Sequence, residues 1–200
     1  MKIGCVLLAA GAGRRFGGGK LFGGKLLGGK LLFEVDGVPM IARALQLFYG
    51  IPFAARVCVT RAEAGEIQQL AFQSKFPVVI NPDPERGVGT SVAIGTEAIL
   101  AKEPSLDGIL YAVADQPYLS PESVKTLIQT FEAYPTDIVS LCFGRRRGNP
   151  AVFPAEFYPE LCALKEDTGG GAVIKRHSER LRLVEAASVR ELDDIDTREN

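Results

Sequence analysis

The chain contains one histidine, His177, and that scarcity removes most of the familiar proton-transfer arrangements. No Ser–His–Asp or Cys–His constellation can be assembled around it. Its place beside Lys175 and Arg176 at a helix end suits a partner of the helix dipole better than a catalyst. Cysteine is sparse as well. Cys5, Cys58, Cys142 and Cys162 show no C-x-x-C spacing and no histidine neighbours, which argues against a zinc site. Cys5, Cys58 and Cys142 lie in apolar, strand-like runs and read as free buried thiols, as expected in a reducing, cytoplasmic setting. Positive charge is not in excess. The 23 Lys+Arg against 24 Asp+Glu give a formal charge of −1, so no global field exists to hold nucleic acid, and any anion site must be local. No apolar run reaches the ~20 residues of a membrane helix. The apolar stretch Ile3–Ala10 runs straight into Arg14 and Arg15, so it is expected to be part of the fold rather than a signal peptide.

What is present is an ordinary globular composition, with 46% hydrophobic and 24% charged residues over 200 positions. It predicts one domain, residues 1–200, with a sizeable core. Strands are expected at Ile3–Leu8, Arg56–Thr60, Pro77–Ile80, Gly108–Ala112, Asp137–Cys142, Pro150–Phe153 and Leu181–Val184. Helical spacing of apolar residues appears over Pro39–Tyr49, Ala62–Gln73, Thr90–Lys102, Pro121–Ala133 and Thr168–His177. Ser120-Pro121 is an N-cap followed by proline at the first helical position. This alternation predicts an α/β fold with a mostly parallel central sheet and helices on both faces. Such sheets bind ligands beyond the carboxyl ends of their strands. The loop after Leu8 and the acidic turn after Ala112 both fall there and can meet in one crevice.

The glycines crowd between Gly11 and Gly29. An apolar strand ending in a glycine loop with cations is a physical recipe for holding phosphate: backbone N–H groups approach oxyanions closely, and Arg15 and Lys20 neutralise charge. The loop is not a G-x-x-x-x-G-K-[ST] phosphate loop, because no Ser or Thr follows the lysine. Nor is it G-x-G-x-x-G, since Arg14, Arg15 and Phe16 follow Gly13. From Gly18 to Phe33 a five-residue unit recurs, GGKLFGGKLLGGKLLF, with lysines at 20, 25 and 30.

The run Leu8-Ala9-Ala10-Gly11-Ala12-Gly13-Arg14-Arg15-Phe16-Gly17-Gly18-Gly19-Lys20 resembles the signature of the nucleotidyltransferases that activate molybdopterin cofactors. Ala114-Asp115-Gln116-Pro117, Arg147-Gly148-Asn149-Pro150, Asp167-Thr168-Gly169-Gly170 and Asp194-Ile195-Asp196-Thr197 resemble that family's later motifs, in its order and over nearly the whole chain. The resemblance implies a three-layer, Rossmann-like nucleotidyltransferase fold. The cytidylyltransferase branch fits best, because the guanylyl-transferring relatives carry glycine where this chain has Ala10. Guanylyl transfer, transfer to a sugar phosphate, or a nucleotide-binding carrier without turnover are the alternatives.

The implied nucleotide site takes in Leu8, Ala9, Ala10, Gly11, Ala12, Gly13, Arg15, Lys20, Lys30, Asn81, Gly87 and Ser91. Arg15 and Lys20 would hold the triphosphate. Spacing from Arg15 selects Lys20, whereas Leu31-Leu32-Phe33 after Lys30 looks more like the family's exit from the loop. Asp115, just after a strand, is the implied Mg²⁺ ligand, with Asp196 as the second. Ser91 is the candidate that meets the base, and a plain helix-start role is equally open. Arg147, Asn149 and Asp167 would face the cofactor substrate. The cluster Arg145-Arg146-Arg147 reads either as a solvated turn or as an anion-facing patch. The expected substrates are CTP and the molybdopterin–molybdenum cofactor, with hand-off of the product to a molybdenum hydroxylase or its maturation chaperone.

Overall fold

The computed structural model describes residues 1–11, 21–22, 25–26 and 29–195. Of the expected site residues, Ala12, Gly13, Arg15, Lys20 and Asp196 lie outside the described residues. Seven strands form the central sheet: β1 (Ile3–Leu8), β2 (Ala55–Arg61), β3 (Val78–Asn81), β4 (Gly108–Val113), β5 (Ile138–Phe143), β6 (Arg146–Pro154) and β7 (Leu181–Glu185). The helices are α1 (Met40–Tyr49), α2 (Gly65–Gln73), α3 (Val88–Lys102), α4 (Pro121–Ala133), α5 (Tyr158–Cys162) and α6 (Gly170–Arg176).

The strand order is β3-β2-β1-β4-β6-β5-β7, with β6 antiparallel to both neighbours and the other pairings parallel. The chain leaves β1 towards β2 and β3, then returns to place β4 on the other side of β1. The point between β1 and β4 is therefore the switch point of the sheet, where neighbouring connections diverge and leave a crevice. Side chains alternate across the strands. Cys5, Leu7, Leu110 and Ala112 pack with Ile41, Leu45 and Phe48 of α1, Ile67 of α2, and Leu127 and Phe131 of α4. Val6, Ile109 and Tyr111 join Val92 and Ile99 of α3, Leu161 of α5, and Val173 and Ile174 of α6 on the opposite face. This is the expected three-layer arrangement. Among the described residues no helix is long and apolar enough to cross a membrane.

Helix α3 lies close to the sheet because its inner face is small. A Cβ at Gly95 would stand 2.6 Å from Val6 Cγ1 and 2.9 Å from Val59 Cγ2, so glycine sets the layer spacing here. Ser120 caps α4, its hydroxyl accepting from the Ser123 N–H at 3.2 Å.

The structure shifts several expected boundaries. Pro39 belongs not to α1 but to a hairpin that pairs Glu34–Val35 with Val38–Pro39. Asp36 and Gly37 turn it, both with positive φ (51° and 76°), the two-residue geometry that favours Asp-Gly. Helix α2 begins at Gly65 rather than Ala62, because the Ala64 N–H closes a turn on the Arg61 carbonyl. Helix α3 starts two residues early, at Val88, behind Gly87. Helix α6 starts at Gly170 rather than Thr168, and α5 was not expected. Strand β6 starts at Arg146, four residues ahead of expectation, so Arg146 and Arg147 sit on a strand and not in a solvated turn.

Candidate active site

The crevice is built from the ends of β1 and β4. Leu8 pairs with Val113 in the sheet, and the Ala114 N–H continues the ladder to the Leu8 carbonyl at 3.1 Å. Asp115 follows directly, so its carboxylate stands at the carboxyl edge of the sheet. Lys30 meets it there: Nζ lies 2.6 Å from Oδ2. The Lys30 side chain is 10% exposed and that of Asp115 25%. Lys30 opens a short 3₁₀ turn, Lys30–Leu32, that is pinned by the burial of Leu31 in the core under α1. Among the described residues, Lys30 is brought to the acidic turn, in a pairing that bridges 85 positions of sequence.

The C-terminal segment closes over the same turn. The Ile195 N–H donates to the Asp115 carbonyl at 3.3 Å, and the Ile195 side chain is buried with Val35 and Met40. Glu191 is 3% exposed, and its two carboxylate oxygens accept from the Ser120 and Ala187 N–H groups at 3.0 and 3.1 Å. Arg146 donates to Asp193 Oδ1 and to the Leu192 carbonyl, each at 2.6 Å. The Arg190 guanidinium lies 4.0 Å from the centre of the Tyr118 ring. These clamps bring the exposed Asp194 to the neighbourhood of Asp115. The hard oxygen donors suit Mg²⁺, which keeps several waters and takes one or two carboxylates together with substrate phosphates. Among the described residues no group of three His, Cys, Asp or Glu converges.

Behind β3, the loop from Asn81 to Ser91 is organised by one side chain. Asn81 is fully buried, and its amide N–H groups donate to Thr90 Oγ1 and Ser91 Oγ, both at 2.9 Å. Its carbonyl oxygen accepts from the Asp83 N–H at 3.0 Å. The Thr90 hydroxyl donates to the Gly87 carbonyl at 2.8 Å. Asn81 therefore shapes the loop from beneath rather than reaching a ligand itself, and Ser91, 5% exposed, is part of the same network. Gly87 has φ of +116°, and a Cβ there would come 2.4 Å from Asp167 Oδ1. The Gly89 N–H donates to the Glu166 carbonyl at 2.8 Å. Asp167 is thus placed against the Gly87–Ser91 loop, not deep in a pocket of its own. Ala9 and Ala10 are buried at the end of β1, and Ala10 belongs to the cluster that contains Val59 and Val92.

On the other side of β4 a cavity of about 280 Å³ opens between α3 and α6. Leu8, Tyr111, Val113 and Phe153 line its floor, Arg147 and Asn149 its rim, and Gly169–Gly171 one wall. Tyr111 and Phe153 meet edge to face, with ring centres 5.6 Å apart. The Tyr111 hydroxyl is turned away and shares a 2.8 Å hydrogen bond with Thr96; burial pushes its pKa up. Arg147 and Asn149 reach the rim through a bulge. Arg147 pairs with Cys142 and Ala151 with Ser140, so β6 spends four steps where β5 spends two. The bulge is held by the Ser140 hydroxyl, which donates to the Gly148 carbonyl at 2.9 Å. Bulges re-aim side chains in this way.

The cysteines take no part in this site. Burial raises the Cys5 thiol pKa and pushes Cys58 up to about 12, while burial and the neighbouring Glu185 carboxylate push Cys142 up to about 11. His177 caps α6 and its Nε2 lies 2.7 Å from Glu160 Oε1; it is not among the residues that line the cavity. The sequence reading missed Tyr111 and Phe153 as cavity floor, and Arg146 and Glu191 as clamps. Asp36-Gly37 was a readable hairpin signal. Glu191 carried none, since a glutamate in a charged tail looks like surface.

The pattern for the MobA-like NTP transferase domain matches residues 5–181. The purine catabolism protein PucB of Bacillus subtilis (strain 168) is 30% identical over 204 residues, covering 97% of this chain and 91% of PucB. Nicotine blue oxidoreductase of Paenarthrobacter nicotinovorans is 29% identical, covering 96% and 91%. Among solved structures, Rv0371c from Mycobacterium tuberculosis H37Rv shares the fold with a TM-score of 0.80 at 20% identity, covering 100% of this chain and 95% of that one. The same mycobacterial protein has been solved in complex with manganese.

Proposed function

The chain belongs to the MobA-like NTP transferase family, and from that premise we propose that it transfers CMP from CTP to the phosphate of the molybdopterin–molybdenum cofactor. The product is the cytosine dinucleotide form of the cofactor, and pyrophosphate is released. The observation that carries this reading is the pairing of Lys30 with Asp115 at the sheet's switch point, next to a cavity rimmed by Arg147 and Asn149. One side offers groups for a triphosphate. The other offers a cation, an amide and an apolar floor of two aromatic rings, which suits a flat heterocycle with a phosphate tail.

The acceptor phosphate is already ionised near neutral pH, so its oxygen attacks the α-phosphorus of CTP without a strong general base. That agrees with the engagement of His177 by Glu160 rather than by a residue of the cavity lining. Catalysis then rests on alignment and on neutralising charge. Arg147 holds the acceptor phosphate and Asn149 fixes its orientation. Lys30 and Arg15 hold the triphosphate, and Lys20 is the alternative to Lys30. Asn81 keeps the Gly87–Ser91 loop in shape for the base, and the Ala10 methyl narrows the pocket in favour of cytosine. Mg²⁺, when bound, spreads the charge of the triphosphate, and Asp115 and Asp196 would hold it. The manganese complex of the mycobacterial fold neighbour is in keeping with a divalent ion in this reading. A cytoplasmic location and hand-off to a molybdenum hydroxylase or its maturation chaperone belong to the same reading.

The test is pyrophosphate release with the molybdenum cofactor as acceptor, measured separately with CTP, GTP, ATP and UTP. CTP is expected to give the highest kcat/KM. A preference for GTP overturns the assignment of the base. CTP binding without turnover, in the presence of the acceptor and Mg²⁺, overturns the transferase reading in favour of a carrier.

A further inference from the structure

Strand β3 ends the sheet and carries no charged residue. Among the described residues no strand pairs with its outer side. The Cys58 N–H donates to the Pro77 carbonyl at 2.9 Å. Backbone direction alternates along a strand, so Val79 bonds towards β2, while Val78 and Ile80 turn their N–H and C=O groups to the open side. Ile80 is 40% exposed, and Val78 and Val79 are only partly covered. Helix α2 adds a further apolar group. Ile67 and Ala71 face the core, and Leu70 and Gln73 line a groove shared with α1. Phe72 therefore lies on the flank away from α1, towards the β3 edge, and is 77% exposed. The opposite edge is built differently. Strand β7 carries Arg182 and Glu185; Arg182 donates to Asp137, and Glu185 accepts from the Gly144 N–H at 2.7 Å. Charges of this kind blunt an edge against pairing.

We propose that β3 is the interface of a symmetric dimer, in which a second copy of this chain pairs its own β3 antiparallel about a two-fold axis through Val79. A second copy fits because the strand is complementary to itself. In this register Val78 of each copy faces Ile80 of the other, and the pair exchanges both of its backbone hydrogen bonds. Lys75 and Asp83 stand equally far from Val79 on either side, so each Lys75 comes opposite the other copy's Asp83, and a cation meets a carboxylate at both ends of the seam. Their contacts within the chain are weak competitors. Lys75 Nζ is 5.7 Å from the centre of the Tyr49 ring, and Asp83 is 3.9 Å from Arg86 with both side chains more than half exposed. Val78 packs against the α1–α2 side of the core, and Ile80, two positions on, shares its face. The axis is normal to the sheet, so both α2 helices lie on that same face. Each Phe72 is thereby brought to the seam where Val78 and Ile80 of the two copies meet. Pro82 has no N–H to offer, so pairing stops beyond Asn81. With one such edge per chain, the assembly closes at two copies.

The experiment is sedimentation velocity of the full chain over a concentration series of about 1–200 µM, in which a dimer with a Kd of about 10 µM is expected. Ile80→Lys and Phe72→Ser are each expected to weaken it by about tenfold or more. Lys75→Asp and Asp83→Lys are each expected to weaken it, and the double variant to restore it, a recovery that damage to the fold would not give. Leu183→Ser, on the β7 edge, is expected to leave it unchanged. A monomer at every concentration overturns the proposal and leaves the edge to a strand of another protein. A dimer that Ile80→Lys leaves intact, or that Leu183→Ser dissolves, overturns it too. So does a double variant that associates no better than its parents. Thermal melting accompanies each variant. Where Ile80→Lys does not fold, hydrogen exchange of the wild type decides: the Val78 and Ile80 amides are expected to slow as concentration rises, while Val79, bonded to β2, keeps its rate. Exchange at Val78 and Ile80 that ignores concentration overturns the interface.

Discussion

The amide of Asn81, wholly buried at the end of β3, donates one hydrogen bond to Ser91 and one to Thr90 at the start of α3, and so ties a sheet edge to a helix entrance. Removing a buried partner leaves polar atoms stranded, which costs about 1–3 kcal/mol. Asn81→Ala is therefore expected to lower the melting temperature by several degrees and to raise the KM for CTP more than it lowers kcat. Differential scanning calorimetry and steady-state kinetics check the two halves. A KM that stays at the wild-type value would separate the Asn81 network from the base-binding loop.

In the proposed reaction Asp115 carries the heaviest catalytic demand. Its replacement by alanine is expected to reduce pyrophosphate release by on the order of 10²–10³-fold, the usual cost of deleting a group that stabilises developing charge. The fold should survive, because the backbone bonds of Asp115 and Ala114 do not involve the side chain. Comparison of turnover with the far-ultraviolet circular dichroism melt tests both statements.

Glu191 is a stability residue by the geometry of its two carboxylate oxygens, each on a different backbone N–H. Glu191→Ala strands both donors and should cost about 2–3 kcal/mol, or roughly 5–10 °C in melting temperature for a chain of this size. Hydrogen exchange should speed up at Ser120 and Ala187 before it does in β1 or β4. Slow exchange at both amides in the variant would remove the clamp.

The thiols give a pH dependence with a definite sign. The Cys58 pKa is pushed up to about 12 and the Cys142 pKa to about 11, above the ordinary thiol value near 9.0. Above that value the unfolded chain sheds protons that the folded chain keeps, so their contribution to stability is present below pH 9 and is lost as pH rises towards 11–12. Melting temperatures should fall steadily above pH 9. At pH 8 a thiol reagent such as DTNB should label Cys58 and Cys142 slowly in the native protein and at once in denaturant. Rapid native labelling of either would contradict its burial.

The repeated unit offers a test of loop register. Deleting residues 20–29 removes two units and joins Gly19 to Lys30, which restores the spacing from Arg15 that singled out Lys20. The shortened chain is expected to keep kcat/KM within about threefold, since loop length itself costs little. Loss of nucleotide binding would mean that the added units hold a phosphate contact of their own.

Much of the fold was readable because hydrophobic period is a local signal. The seven strands and five of the helices follow from alternation and from apolar stripes, and Ser120-Pro121 marked the start of α4 to the residue. Local signals fail where partners are distant. Nothing near Lys30 announces Asp115, and nothing in the run Arg190–Asp194 announces that Glu191 is buried. Arg145-Arg146-Arg147 stayed open between a turn and an anion-facing patch for a related reason: charged residues at the end of a strand look like a turn until a bulge and a clamp are known. The roles assigned to the glycine loop rest on motif resemblance, since its central residues lie outside the described ones.

The contact between Gly87 and Asp167 has an evolutionary consequence. One belongs to the loop leading into α3, the other to the turn leading into the wall of the cavity, and a Cβ at Gly87 would stand 2.4 Å from Asp167 Oδ1. Any residue larger than glycine at 87 collides with residues 166–167 while it is forced into an unfavourable φ. Under the proposed reaction, changes in donor choice and in acceptor choice are therefore expected to be epistatic here. A lineage that adopts a new acceptor by remodelling the 165–168 turn must do so around a fixed glycine, and a swap of this turn alone between relatives would carry its neighbour's preferences with it.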